Sequence, residues 1–76
     1  MKQKWDVPKV KAIIFDELSL METEISVNEL SRQLYDAYKV PKNYVISAYK
    51  ELVEENVIDK RTESQFRGGR IFYLKI

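Results

Sequence analysis

The side chains of this sequence that could do chemistry are acids, bases and hydroxyls, because its 76 residues include neither cysteine nor histidine. That composition removes thiolate nucleophiles, imidazole general bases and the usual zinc ligand sets. The adjacent acids Asp16-Glu17 and Glu54-Glu55 point to different helical faces, so they do not form the converging carboxylate pair of acid-base catalysis. We therefore expect no enzyme active site, no metal and no cofactor.

The basic residues are segregated along the chain, although the formal net charge is only +1. Residues 1–11 carry four lysines and one acid, and residues 59–76 carry five bases and two acids. Residues 12–58, in contrast, carry nine acids and four bases. Two basic ends therefore flank an acidic middle, and a polyanionic partner fits the sequence if the fold brings the bases together.

The first two helices are predicted from apolar periodicity and from signals at their ends. The first is capped by Asp6 or Val7, has Pro8 in its first turn and ends near Met21. The second starts at a capping box, residues 26–29, in which the serine side chain binds the glutamate amide and the glutamate side chain reaches back. The residues expected on its buried face are Leu30, Leu34, Ala37 and Tyr38.

A third helix and a β-hairpin follow. Pro41 ends the second helix and opens the third, which stops near Glu55-Asn56 because asparagine tolerates the left-handed conformation. Gly68-Gly69 is typical of a tight two-residue hairpin turn, which would place Arg67 and Arg70 directly across from each other. The expected buried positions are Val45, Ala48, Tyr49, Leu52 and Val53 on the helix, and Phe72, Leu74 and Ile76 on one face of the last strand.

This order of elements predicts an α+β fold of the winged helix-turn-helix type, with a three-helix core and a C-terminal β-hairpin wing. Residues 1–6 are expected to form an N-terminal arm and residues 7–76 the domain, with Ile25 in a brief extended stretch. No apolar run approaches the ~20 residues that a membrane-spanning helix needs. We therefore expect a cytoplasmic protein with no membrane partner.

The chain resembles the DNA-binding domain of the GntR-type bacterial repressors from about Pro8 to Ile76. Ile46 stands where that family commonly has an arginine directed at DNA phosphate, and the four residues 35–38 lengthen the turn between the second and third helices. The resemblance implies binding of double-stranded DNA. It carries over no effector, because we expect no ligand-sensing domain. The matching segments are Ser26, Glu29-Leu30-Ser31, Leu34, Val45, Ala48-Tyr49, Leu52, Glu55-Asn56-Val57-Ile58, Gly68-Gly69 and Ile71-Phe72.

The third helix of a winged helix enters the major groove with its N-terminal residues near the base edges. Asparagine there suits adenine, and lysine suits guanine or phosphate, although the lysines could equally form an ordinary solvated face. Ile46 contacts either thymine methyl groups or another protein, and Tyr44 either binds phosphate or packs against the second helix. Helical spacing turns these residues outward: Lys42, Asn43, Ile46, Ser47 and Lys50.

The wing supplies a second group of bases. Arg67 and Arg70 would repel each other across a tight turn, so a hairpin built for stability alone would not carry both. Contact with phosphate or with a narrow minor groove explains them better than solubility of an exposed loop. Lys60 and Arg61 at the base of the hairpin are expected to extend the same patch.

The sequence thus predicts sequence-specific binding of double-stranded DNA by a small transcriptional regulator. A palindromic site would require a homodimer, with the segment around Trp5 and the first helix as its interface. Two alternatives stay open. One is a winged-helix protein-interaction module that uses Ile46, Tyr44 and the wing, and the other is a plasmid or phage replication or partition factor.

Overall fold

Three helices and three short strands make up the fold in the computed structural model, which describes residues 4–76. The strands form one antiparallel sheet in the order β1-β3-β2, with β3 in the middle. The α+β class, the three helices and the C-terminal hairpin are therefore confirmed. The elements are α1 (Val7–Ser19), β1 (Ile25–Ser26), α2 (Val27–Tyr38), α3 (Lys42–Glu54), β2 (Asp59–Ser64) and β3 (Arg70–Lys75).

The N-terminal ends of α1 and α2 follow the predicted caps. The Asp6 side chain accepts a hydrogen bond from the Lys9 amide at 2.8 Å, and the Ser26 hydroxyl accepts one from the Glu29 amide at 3.2 Å. The second half of the capping box is not formed, because the Glu29 carboxylate binds Arg32 at 2.8 Å instead. The first helix ends at Ser19, two residues before the predicted Met21.

The predicted N-terminal arm lies only partly within the structure, because residues 1–3 are outside the described residues. Trp5 is half-buried against the core, and the Lys9 ammonium lies 5.2 Å from the centre of its ring. Trp5 therefore packs on the domain.

The second helix continues to Tyr38 and ends before Pro41, as the sequence pattern predicted. Residues 35–38 are helical and do not lengthen the turn, contrary to the comparison with the GntR-type pattern, and the turn is confined to residues 39–41. Lys39 ends the helix in the left-handed conformation, with φ of 63°, and its amide binds the Tyr35 carbonyl at 2.9 Å. This last turn extends beyond the core, so Ala37 and Tyr38 are exposed and not buried as predicted.

The core lies where α1, α3 and the central strand meet. Val10 and Ile14 of α1 and Val45 of α3 are fully buried, and Leu74 of β3 is fully buried beside them. The predicted stripe of α3 is confirmed except at its end, where Val53 is only half-buried. The helix stops as expected, with Asn56 in the left-handed conformation at φ of 60°.

The sheet joins the hairpin to the helices through the predicted extended stretch at Ile25. Ile25 pairs with Leu74, and both side chains are buried. Phe72 is half-buried on the same face as Leu74, whereas Ile76 at the end of the chain is 47% exposed. The helix-facing side of β3 is therefore the one that the sequence indicated.

The turn of the hairpin is longer than the predicted Gly-Gly turn. Ser64, not Arg67, lies opposite Arg70. The Gln65 amide binds the Gly69 carbonyl at 2.7 Å, so the loop is residues 66–68. Within this loop Gly68 has a positive φ, of 80°. The expectation that Arg67 and Arg70 face each other is therefore wrong.

No helix within residues 4–76 is long and apolar enough to cross a membrane.

Candidate nucleic-acid interface

A concave groove of about 510 Å³ lies between α3 and the helix-facing side of the hairpin. Four basic residues line it, and none of the lining residues in the described part of the chain is acidic. Ile46 and Phe72 provide apolar surface between the charges, and both also pack against the core. The four bases, called the groove bases below, are Lys42, Lys50, Lys60 and Arg70.

Helical and strand periodicity explain why these residues meet. Lys42, Ile46 and Lys50 recur every four residues and so form one stripe of α3. In the sheet, Lys60 pairs with Leu74 and Ser64 pairs with Arg70. Directly paired and alternate residues share a face, so Lys60 and Arg70 lie on the same side as the buried Leu74, toward the helices.

The charges of the groove bases are not neutralised by neighbouring acids. Within residues 4–76, no carboxylate oxygen lies within 4.0 Å of their charged nitrogens. The Lys42 ammonium donates to the neutral side-chain oxygen of Asn28 at 3.4 Å, and the Lys60 ammonium lies 5.0 Å from the centre of the Phe72 ring. The groove is therefore a site of positive potential that suits an anion.

Three bases outside the groove are paired with acids. Lys11 lies 2.7 Å from Glu55, which raises the pKa of the Lys11 ammonium through a side-chain hydrogen bond. Arg32 lies 2.8 Å from Glu29 on the same helix. Arg61 is paired with acids on the sheet. The charges of these three bases are therefore compensated by acids, whereas those of the groove bases are not.

Arg61 does not belong to the groove, contrary to the sequence prediction. It binds Glu24 and, at 2.9 Å, Glu63, and its guanidinium lies 4.5 Å from the centre of the Tyr73 ring. These hydrogen bonds lower the pKa of Glu24 and raise the pKa of Arg61. Neighbouring residues on a strand point to opposite faces, so the Arg61 side chain lies on the face opposite to that of Lys60.

The remaining predicted residues of α3 divide into two groups. Asn43 and Ser47 are exposed, and helical spacing places them beside Lys50, where they continue the stripe away from the hairpin. Tyr44 and Ile46 are half-buried and pack against the core, which favours the packing interpretation of Tyr44. Tyr49, one of the expected core residues, also lines the groove, and burial raises the pKa of its phenol.

The tip of the hairpin carries Arg67 and the fully exposed Phe66, whose side chain is 103% exposed. Arg67 lies in the loop, outside the groove lining, whereas Arg70 at the start of β3 contributes to the groove. The two arginines are therefore in different positions relative to α3.

Sequence reasoning did not assign Asn28 or Phe72 to the groove. Asn28 approaches Lys42 only because the first turns of α2 and α3 are adjacent in the fold, which no local pattern indicates. Phe72 was assigned to the core alone, although it also lines the groove. Phe66 lies outside the groove, and the three-residue loop exposes it.

Residues 4–76 contain no group of three or more acids that could hold a metal ion. Comparisons of the chain with protein families, with curated proteins and with solved structures found no match.

Proposed function

We propose that this chain is a winged-helix domain that binds double-stranded DNA, with α3 in the major groove and the β2–β3 hairpin as the wing. One observation carries the proposal. The four groove bases converge on a surface that no acid of residues 4–76 lines, between the elements that a winged helix presents to DNA. The order of three helices and a three-stranded antiparallel sheet supports the same fold.

The dimensions of α3 fit this role. Its 13 residues make a helix about 20 Å long, and the major groove, about 12 Å wide, admits one helix. Lys42 lies in the first turn, where the helix dipole adds to the attraction for phosphate. Asn43 and Ser47 lie along the exposed stripe and reach base edges, with Asn43 suited to adenine.

The wing then contacts the sugar-phosphate backbone beside the major groove. Lys60 and Arg70 face α3 across the groove, so a duplex that receives α3 brings its phosphates close to both. Arginine binds phosphate through paired hydrogen bonds, which fixes the register of the protein on DNA. Arg61 takes no part, because its guanidinium is held by acids on the other face of the sheet.

The biological role that follows is that of a small transcriptional regulator; a plasmid or phage replication or partition factor would use the same contacts. Binding to a palindrome requires two copies, and we propose the N-terminal segment and α1 as the contact. Phe15 of α1 is 40% exposed and Leu20, which caps the C-terminal end of α1, is 83% exposed, so apolar surface is available there. Sedimentation at increasing concentration tests this dimer.

The salt dependence of DNA affinity tests the proposal. The probes are fluorescent 20-bp duplexes recovered by the full chain from a random-sequence pool. If the groove bases and the exposed Arg67 each neutralise a phosphate, log affinity falls against log salt concentration with a slope of about −4 to −5. A flat dependence, or the absence of any enriched duplex, would contradict sequence-specific DNA binding.

A paired substitution locates the contact on the groove. Lys50→Ala removes a groove base, so it should weaken binding and make the slope less negative by about 1. Lys75→Ala is the matched control, because it removes the same charge from the exposed outer face of β3. Equal effects of the two substitutions would show that only the overall charge matters.

A further inference from the structure

The hairpin ends in an aromatic ring that no described residue covers. Phe66 is 103% exposed, and every residue from 61 to 70 is exposed around it. Single exposed apolar residues are common on protein surfaces. A phenylalanine at the outermost point of an exposed ribbon is different, because it is the first group to meet any partner that the ribbon approaches.

The loop holds this ring on a closed turn. The Gln65 amide binds the Gly69 carbonyl at 2.7 Å, and the Gly68 amide binds the Gln65 carbonyl at 3.1 Å. Gly68 takes the positive φ of 80° that closes the turn. These requirements concern the backbone and the glycine, so the loop gives no reason for an aromatic side chain at position 66.

Basic residues lie close to Phe66 in the chain, which suits a negatively charged partner that also has apolar surface for the ring. Arg67 is its exposed neighbour, and Arg70 leads back into the groove bases. The ribbon from Thr62 to Phe66 reaches about 13 Å at about 3.3 Å per residue, which is similar to the width of the major groove, about 12 Å. A DNA duplex has a negatively charged phosphate backbone, which suits Arg67, and apolar stacked bases inside it, which suit Phe66.

We propose that Phe66 is a wedge that inserts at a base-pair step in the minor groove beside α3 and bends the duplex. The inference rests on the proposed function and adds a bending residue to it. Apolar wedges at such steps partly unstack them and kink the duplex by about 20–90° toward the major groove. A bend in that direction wraps the duplex around α3 and brings more backbone to Lys60 and Arg70.

The experiment uses a 20-bp duplex of alternating dA and dT, in which every second step is the easily unstacked TA step. Donor and acceptor dyes at its two ends report bending as increased energy transfer, and anisotropy reports affinity. The full chain is compared with Phe66→Ala, Phe66→Leu and the control Val57→Ala. Val57 is also exposed, at 39%, but lies after the end of α3 and not in the groove lining.

Wild-type protein should raise energy transfer at saturation. Phe66→Ala should abolish that rise and weaken binding about tenfold, because burial of the ring is partly offset by the cost of unstacking. Its salt slope should stay unchanged, since no charge is removed. Phe66→Leu should retain most of the bend, and Val57→Ala should behave as wild type. Thermal melting confirms that each variant is folded.

Three results would overturn the wedge. The first is a Phe66→Ala variant that bends the duplex as wild type does. The second is a variant that binds more weakly but still bends, since the ring would then only touch the backbone. The third is Phe66-dependent binding to vesicles of phosphatidylserine and phosphatidylcholine without an effect on the duplex, which would assign the tip to a membrane surface. Failure of wild type to bind any duplex would instead overturn the proposed function.

Discussion

The ammonium of Lys42 donates a hydrogen bond to the side-chain oxygen of Asn28 across 3.4 Å. The bond joins the first turn of α3 to the first turn of α2, and both residues line the groove. Because the acceptor is a neutral amide, the bond orients Lys42 without cancelling its charge. A carboxylate at position 28 would orient the ammonium and cancel its charge together.

Asn28→Asp should therefore weaken DNA binding while the fold is retained. We expect the affinity to fall about tenfold and the salt slope to become less negative by about 1, as for the loss of one phosphate contact. An acid in the first turn of α2 interacts favourably with the helix dipole, so the free energy of unfolding should not decrease. Anisotropy titrations and urea unfolding measure the two quantities.

Gln33→Glu is the control for that substitution. Gln33 is exposed on α2 outside the groove, so its replacement by glutamate adds the same negative charge away from Lys42. It should bind DNA more strongly than Asn28→Asp. Equal affinity of Asn28→Asp and wild type would show that Lys42 makes no contact with the duplex.

The Glu24–Arg61 pair predicts a specific acid dependence of stability. Hydrogen bonds from Arg61 lower the pKa of the folded Glu24 carboxylate from its ordinary value of 4.5. The pair therefore contributes its full stabilisation above that value and loses it as the pH falls through the lower folded pKa. Urea unfolding between pH 3 and 7 should show a shallower acid loss of stability in Glu24→Gln than in wild type.

The control for this measurement is Glu22→Gln, which removes an exposed carboxylate that forms no ion pair within residues 4–76. Its acid dependence should match that of wild type. DNA affinity at neutral pH should be unchanged in Glu24→Gln, because Arg61 lies on the outer face of the sheet. A loss of affinity for DNA would show that Arg61 takes part in the DNA interface.

Local signals in the sequence predict the helices well because each signal acts within one turn. The caps at Asp6 and Ser26 form as expected, and the buried stripe of α3 follows the 3.6-residue period. The apolar periodicity also predicts Ala37 and Tyr38 on α2, as found. Only the family resemblance placed residues 35–38 in the turn, although they contain no proline or glycine that would break a helix. The left-handed Lys39 sets the end of α2, and lysine gives no sequence signal for that conformation.

The candidate site was only partly predictable for a similar reason. Spacing on α3 predicts Lys42 and Lys50 on one side, since the helix fixes their directions. The hairpin bases depend on strand register, and the two-residue turn assumed from Gly68-Gly69 placed Arg70 opposite the wrong residue. A residue such as Asn28 joins the site through contact between two helices, which a single sequence does not report.

The buried hydroxyl of Ser31 is predicted to lower the free energy of unfolding relative to an alanine at the same position. The Ser31 side chain is 5% exposed on α2, and its hydroxyl has no hydrogen-bond partner within residues 4–76. Ser31→Ala removes this unsatisfied group and introduces a better helix former, so the free energy of unfolding should rise by about 1 kcal/mol. For a domain of this size, that corresponds to an increase in melting temperature of about 4–8 °C.

Ser47→Ala provides the comparison for Ser31→Ala, since Ser47 is exposed in the middle of α3 and its substitution changes only helix propensity. Its gain in stability should be smaller. A Ser31→Ala protein that melts below wild type would show that the buried hydroxyl makes a stabilising contact.

The two wing arginines should contribute to DNA binding separately, because they do not face each other across the turn. Arg70→Ala removes a groove base, and we expect the salt slope to become less negative by about 1. Adding Arg67→Ala should make the slope less negative again. Arg61→Ala removes the same charge from the outer face and serves as the control. Its slope should equal that of wild type, because its guanidinium is already compensated by acids.

The same double variant separates DNA binding from the protein-interaction alternative. Arg67→Ala combined with Arg70→Ala leaves the core untouched, since both side chains are exposed, so a change in binding reports on the surface. Weaker DNA binding with a reduced salt slope supports contact between the wing and phosphate. Unchanged affinity for DNA, together with loss of binding to a protein partner, would mean that the groove bases attract an acidic protein surface instead, because the positive potential of the groove favours either anion.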